Sequence, residues 1–193
     1  MNIAVFASTR GTDFQAIIDE MEAGRLPGVN LRFLLTNKAD CGALEKAKKH
    51  SIPVFFVDPK GKDRQDYDDE VALICEKEKI DLICLVGWMR ILSRAFVARF
   101  PGRIINVHPS LLPKYKGGMD VNVHEEVLKN GEKETGMTIH IVTEEVDEGP
   151  ILVQKSIPVL PEDTAESLKT RVQELEKQWY PEAIRMMQRK IGK

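Results

Sequence analysis

The stretch Ile80-Asp81-Leu82-Ile83-Cys84-Leu85-Val86 is apolar without a break after Asp81. A strand buried on both faces reads this way, whereas one face in water gives alternation. It is therefore the expected centre of a parallel sheet. Upstream, a short apolar run at Ile3 to Ala7 gives a first strand, and Phe14, Ile17, Ile18 and Met21 fall at helical spacing after it. A strand at Leu31 to Leu35, a basic helix at Cys41 to Lys49 and a strand at Val54 to Val57 continue the alternation. A charge-dense helix at Asp63 to Lys79, with one solvated face, then leads into the central run. Strands alternating with helices predict an α/β fold: a mostly parallel twisted sheet with helices on both faces.

Downstream the pattern changes. Val121 to Asn130 is helical, but Met137 to Val142 and Ile151 to Val159 follow as strands with no long helix between them. These predict an antiparallel C-terminal part beside the parallel one. Asp163 to Lys190 is the last helix, with Asp163-Thr164-Ala165-Glu166 as its start signal. No linker divides the chain, so residues 1–193 are expected to be one domain.

Between the two halves lies Asn106-Val107-His108-Pro109-Ser110-Leu111-Leu112-Pro113. Asn106 and His108 are two apart, so on a strand they share a face. Pro109 cannot donate to a ladder and ends the strand. That puts both at a strand C-terminus, where open α/β sheets bind ligands. Asn106 can donate to a developing oxyanion, and His108 can exchange a proton near neutrality. Asp147 can orient that ring or raise its pKa. An acyl transfer to an amine asks for these three groups and for no metal. The same spacing also fits a strand end that merely satisfies its backbone, and spacing alone does not choose.

Other residues read more plainly. Ser8 to Asp13 is a strand–helix turn with Thr12 or Asp13 as its N-cap; its single glycine, Gly11, lacks a Walker or dinucleotide pattern. Met89-Arg90-Ile91-Leu92 is a loop with two core residues and a solvated arginine, and Arg64 is one charge among many on a helix. His140 is a strand histidine near the site. His124 lacks a partner at H-x-x-x-H spacing and reads as a solvated helix face; His50 reads as a surface helix end.

Apolar content of 42%, charged content of 30% and a net charge of −2 describe a globular chain with no general affinity for nucleic acid. No apolar stretch approaches the ~20 residues of a membrane span. Cys41, Cys75 and Cys84 are an odd set without C-x-x-C spacing. They read as buried thiols in a reducing cytoplasm. The first residues read as a strand without a signal peptide's charged lead.

The chain resembles the folate-dependent formyltransferases from Met1 to about Ile184. The resemblance is carried by Phe6-Ala7-Ser8, Leu35-Thr36-Asn37-Lys38-Ala39, Gly87-Trp88-Met89-Arg90-Ile91-Leu92-Ser93, the Asn106 to Pro113 block, Gly136-Met137-Thr138-Ile139-His140 and Val146-Asp147-Glu148-Gly149-Pro150-Ile151. It implies formyl transfer from 10-formyltetrahydrofolate, as cosubstrate, to the amine of glycinamide ribonucleotide in purine biosynthesis. The implied catalytic set is Asn106, His108 and Asp147, with His140 in support. The folate would meet Arg64, Met89, Arg90, Ile91, Leu92 and Asn106. The acceptor's phosphate would meet Gly11, Thr12 and Asp13, and its sugar Glu176. The resemblance implies small-molecule partners only, with neither nucleic acid nor membrane, and a cytoplasmic monomer or homodimer.

Relatives that act on tRNA or hydrolyse the folate carry extra domains, which this sequence is not expected to have. An amino sugar as acceptor, or a folate-binding protein without turnover, are the alternatives. Three departures border the expected acceptor site. Thr12-Asp13 stands where Ser-Asn is commoner, so Asp13 is expected to turn away, capping the helix or pairing with Arg10. Lys177 stands where His is commoner. The Lys116 to Val127 stretch, with Gly117-Gly118-Met119-Asp120, is a few residues longer than usual.

Overall fold

A computed structural model describes residues 1–118 and 121–192, and for Val121 only the backbone. Met119 and Asp120, the centre of the lengthened stretch, lie outside the described residues. The elements run β1 (Asn2–Ala7), α1 (Thr12–Glu22), β2 (Asn30–Thr36), α2 (Gly42–Lys49), β3 (Val54–Phe56), α3 (Arg64–Lys77) and β4 (Leu82–Val86). They continue with α4 (Arg94–Arg99), β5 (Ile104–His108), α5 (Val121–Lys129), β6 (Glu134–Ile141), β7 (Ile151–Pro158) and α6 (Ala165–Ile191).

The strands form one seven-stranded sheet in the order β3-β2-β1-β4-β5-β6-β7. β1 to β5 pair in parallel, and β6 and β7 add antiparallel. All five residues of β4 are buried, as its unbroken apolar run requires. Alternate residues feed two cores. Ile3, Val5, Leu82, Cys84 and Val86 pack under α1, α2 and α6, whereas Ala4, Phe6, Ile83 and Leu85 pack under α3 and α4.

The chain winds from β1 outward to β3 and then returns to the other side of β1 with β4. The loops after β1 and β4 therefore diverge, and a crevice opens between them. α4 is not foreseen by the sequence reading. Its signal is Ser93, whose Oγ caps the helix by accepting from Phe96 N–H at 3.2 Å.

Two devices fix what the crevice presents. Ser8 Oγ accepts from Met89 N–H at 3.2 Å and donates to Asn37 Oδ1 at 2.7 Å, which ties three strand-end loops together. Tyr180 Oη donates to the carbonyls of Leu85, at 2.9 Å, and Ile105, at 3.3 Å. That anchors α6 against β4 and β5. Lys169, Gln173 and Glu176, four and seven residues along the helix, then share the face that lines the crevice. Among the described residues, no helix is long and apolar enough to cross a membrane.

Candidate active site

The crevice encloses a cavity of about 220 Å³ at the C-terminal ends of β1, β4 and β5. Asn106 and His108 both face it, as their spacing on β5 predicts. Antiparallel register sets Asn106 opposite His140 on β6 and His108 opposite Thr138. Thr138 in turn pins the chain beyond His108: its Oγ1 donates to Ser110 O at 2.7 Å and accepts from Leu112 N–H at 3.1 Å.

Four side chains form one chain of contacts. Asn106 Nδ2 lies 3.3 Å from His140 Nε2, and His140 Nε2 lies 3.3 Å from Asp147 Oδ1. Asp147 Oδ2 lies 3.3 Å from His108 Nδ1 and accepts from Gly117 N–H at 2.9 Å. His108 Nε2 ends the series 2.9 Å from the carbonyl oxygen of Tyr115. His140 is thus a full member of the network, since its Nδ1 also lies 3.1 Å from Ile141 O. Asp147 holds φ of 56°. Asp and Asn tolerate that left-handed conformation better than most residues.

The electrostatics poise the network. Burial works against a charge on Asp147, but hydrogen bonds from His140 and Gly117 N–H and the nearby rings outweigh it. Its pKa is held below the usual carboxylate value, so it is the fixed negative charge of the site. For His108 the balance goes the other way. Burial is the largest influence and sets its pKa below the ordinary imidazole value, against the opposing pulls of Asp147 and the Tyr115 carbonyl. Asp147 therefore raises the His108 pKa as expected, but by less than burial lowers it. Both ring nitrogens face acceptors, so a neutral ring leaves one acceptor–acceptor contact. The result is an imidazolium that can form and that gives up its proton readily.

The remaining expected residues divide. Met89, Arg90, Ile91 and Leu92 line the cavity. Arg90 is not a solvated arginine: its guanidinium stacks 4.1 Å over the Tyr67 ring. Asp68, buried beneath, accepts from Ser93 N–H and holds the end of this loop. Met89 and Ile91 expose apolar surface at the mouth, where Val146 adds more. Arg64 does not line the cavity; it opens α3 one turn before Asp68.

Thr12, Asp13 and Glu176 do line it, whereas Gly11 does not. Neither Thr12 nor Asp13 is the N-cap of α1. Gly11 is, with φ of 69° and no side-chain cap. A Cβ on Gly11 would come within 2.9 Å of Ala43 Cβ, so both the conformation and the packing call for glycine. Asp13 neither caps the helix nor pairs with Arg10. Its carboxyl is 3% exposed, and Oδ1 makes no hydrogen bond.

One histidine expectation is overturned. His124 is 1% exposed and lines the cavity, because the apolar positions Val123 and Val127 draw that face of α5 inward. His50 ends α2 as expected, but its side chain is 13% exposed, within 2.6 Å of Glu22 and 3.3 Å of Gln15. Sequence reasoning also missed Lys169 and Gln173 in the cavity wall. Their signal was the i, i+4, i+7 spacing with Glu176.

An amide donor, a buried imidazole and a fixed carboxylate at the switch of an open α/β sheet define a group-transfer enzyme built on acid–base chemistry. The Formyl transferase family model matches residues 1–184. The chain belongs to that family. It is 40% identical to the phosphoribosylglycinamide formyltransferase of Haemophilus influenzae, over 95% of this chain and 85% of that protein. It is 38% identical to the human trifunctional purine biosynthetic protein adenosine-3, over 96% of this chain and 18% of that one. The crystal structure of glycinamide ribonucleotide transformylase 1 from Symbiobacterium toebii superposes with a TM-score of 0.92 at 38% identity, covering 97% of this chain and 87% of that one.

Proposed function

We propose that this protein transfers the formyl group of 10-formyltetrahydrofolate to the amine of glycinamide ribonucleotide in purine biosynthesis. The observation that carries this reading is the contact series Asn106–His140–Asp147–His108 at the sheet's switch point. The names of the relatives supply the acceptor and the group transferred, and the folate donor is what the family resemblance implies.

The amine attacks the formyl carbon and a tetrahedral oxyanion forms. The Asn106 amide donates to that oxygen; losing one such donor typically costs about 2.7–4 kcal/mol of barrier. His108, as imidazolium, gives up its contact with the Tyr115 carbonyl, stabilises the same charge and gives its proton to the departing folate nitrogen. Asp147 keeps that imidazolium accessible and helps move the proton the amine releases, with His140 holding its other oxygen. The loop of Met89 to Leu92 receives the pterin by backbone groups and apolar flanks, and Arg64 lies outward for the folate's far end. Glu176 takes the acceptor's sugar. Arg10, Thr12 and Lys169 bring positive charge and donors for its phosphate.

We read residues 1–193 as one formyltransferase domain, cytoplasmic and monomeric or homodimeric, requiring no metal. The experiment is incubation with 10-formyltetrahydrofolate and a panel of amines, with mass spectrometry of the products. A formyl adduct of glycinamide ribonucleotide supports the reading. Formylation of an amino sugar alone would redirect it, and no adduct from any amine would leave a folate-binding protein.

A further inference from the structure

His108 Nε2 meets a backbone oxygen, the carbonyl of Tyr115, at 2.9 Å. The peptide that presents this oxygen is strained. Tyr115 holds φ of 61°. Bulky residues rarely adopt that left-handed conformation, and it persists only where the surroundings over-determine it. Here the side chain does so. Tyr115 Oη donates to Glu132 Oε1 at 3.1 Å and accepts from Asn130 Nδ2 at 3.0 Å. Lys114 Nζ donates to both oxygens of the same Glu132 at 2.9 Å. The Lys114 bond, and after it the Tyr115 bond, hold the Glu132 carboxyl below the usual carboxylate range, so it stays ionised through neutrality. The turn that carries Asn130 and Glu132 is itself tied to the end of α5. Gly131 N–H donates to Leu128 O at 3.0 Å and Glu132 N–H to Val127 O at 3.2 Å. Val123 and Val127 bury that helix against the core.

We propose that Tyr115 is a positioning residue for His108: its hydroxyl, clasped by Glu132 and Asn130, holds its own carbonyl on His108 Nε2 in the resting enzyme. This rests on the reading of His108 as the proton donor of the transfer. With Asp147 at Nδ1 and the Tyr115 carbonyl at Nε2, each N–H of an imidazolium has an acceptor. A neutral ring leaves one acceptor without a proton, so the clasp favours the charged form. It loads the ring with the proton that His108 later gives up, and the contact is released when Nε2 turns to the reacting nitrogen. Without the hydroxyl's bonds the strained peptide relaxes and its carbonyl leaves the ring. Asp147 and His140 act on the same ring. Asp13 of α1, His124 of α5, and Lys169 and Glu176 of α6 line the same cavity. Tyr115, Asn130 and Glu132 do not line it, so substituting them leaves those groups in place.

The test is a titration of the His108 ring in the ligand-free protein by nitrogen NMR with labelled histidine. The chain has four histidines, and the His108 signals are those lost in His108→Ala. Tyr115→Phe keeps the aromatic ring and removes both hydroxyl bonds. It should lower the His108 midpoint by about half to one pH unit, the worth of one hydrogen bond. Glu132→Ala should do the same, and it carries the test if Tyr115→Phe does not fold. Glu132→Gln keeps an acceptor oxygen and should restore most of the shift. Turnover of 10-formyltetrahydrofolate with glycinamide ribonucleotide gives a second readout. In kcat/KM, Y115F should fall about three- to tenfold behind the unsubstituted protein above the His108 midpoint, and the gap should close below it. An unmoved midpoint in both Y115F and E132A would overturn the proposal and leave the transfer reading intact. Equal shifts in E132A and E132Q with none in Y115F would also overturn it, since Glu132 would then act by its charge alone. If the midpoint moves but the unsubstituted protein formylates no amine, the transfer reading fails and takes the positioning role with it.

Discussion

Asp147 Oδ2 stands 3.3 Å from His108 Nδ1, and the same carboxylate reaches His140 through its other oxygen at 3.3 Å. One negative charge is thus shared between two rings of adjacent antiparallel strands. Asp147 comes from the turn after β6, and its backbone is bent into a left-handed conformation to get there. Gly117 N–H, from the loop after β5, fixes the orientation. The proton inventory of the site is therefore set by groups from four segments, and a change in any of them should alter turnover before it alters folding.

His108→Ala and Asp147→Asn should each lower kcat by at least ~100-fold, the lower scale of general acid–base effects. Asn suits the left-handed backbone at 147 almost as well as Asp, so that variant removes the charge with little strain. Circular dichroism and thermal melts should remain close to those of the unsubstituted protein. Near-normal turnover in both purified variants would sink the mechanism.

Asn106→Ala should act on kcat more than on KM for the amine, because an oxyanion donor works mainly in the transition state. A large KM effect with kcat intact would make Asn106 a ground-state binder. The same variant also unties His140 Nε2 on one side. His140→Ala should therefore give a smaller loss than either His108→Ala or Asp147→Asn, and steady-state kinetics of the three will rank them.

Much of this was readable from residue order. The unbroken apolar run ending at Val86 announced a central strand, and the Asn106–His108 spacing announced a shared face at a strand end. What escaped was set by packing across the chain. Whether the Lys169 face of α6 meets solvent or cavity depends on Tyr180 reaching the carbonyls of β4 and β5, a contact between distant segments. Metal-ligand spacing around His124 says nothing about which face of α5 turns inward. Asp13 sits where an acid ordinarily caps a helix. Its burial follows from the left-handed Gly11, which takes the cap position and rolls the next side chains into the wall.

Gly87→Ala should damage the folate side of the crevice. Gly87 has φ of 57°, and a Cβ there would collide with the Thr9 side chain. It also accepts from Ser8 N–H at 3.2 Å, next to the bond that positions Met89. Both the strain and the clash push the loop away from Ser8. KM for 10-formyltetrahydrofolate should rise several-fold, with a loss of about 1–3 kcal/mol in stability by denaturant melts. An unchanged KM would show that the loop's backbone does not hold the folate.

Asp13 also makes stability depend on pH, with a definite sign. Its folded pKa is raised from 3.8 to about 7 by burial, so across that interval the folded state binds the proton that the unfolded state has released. Stability then falls as pH rises, and the penalty is complete above about pH 7. Each unit of such a shift corresponds to about 1.4 kcal/mol, so the effect is large enough to see in a melting curve. Asp13→Asn cannot ionise and lacks the penalty. Its melting temperature should match the unsubstituted protein's near pH 4 and exceed it by several degrees at pH 8. Melts across that range check it. Parallel curves would mean that Asp13 ionises in the folded protein as it does in water, with its carboxyl turned to solvent and away from the cavity wall.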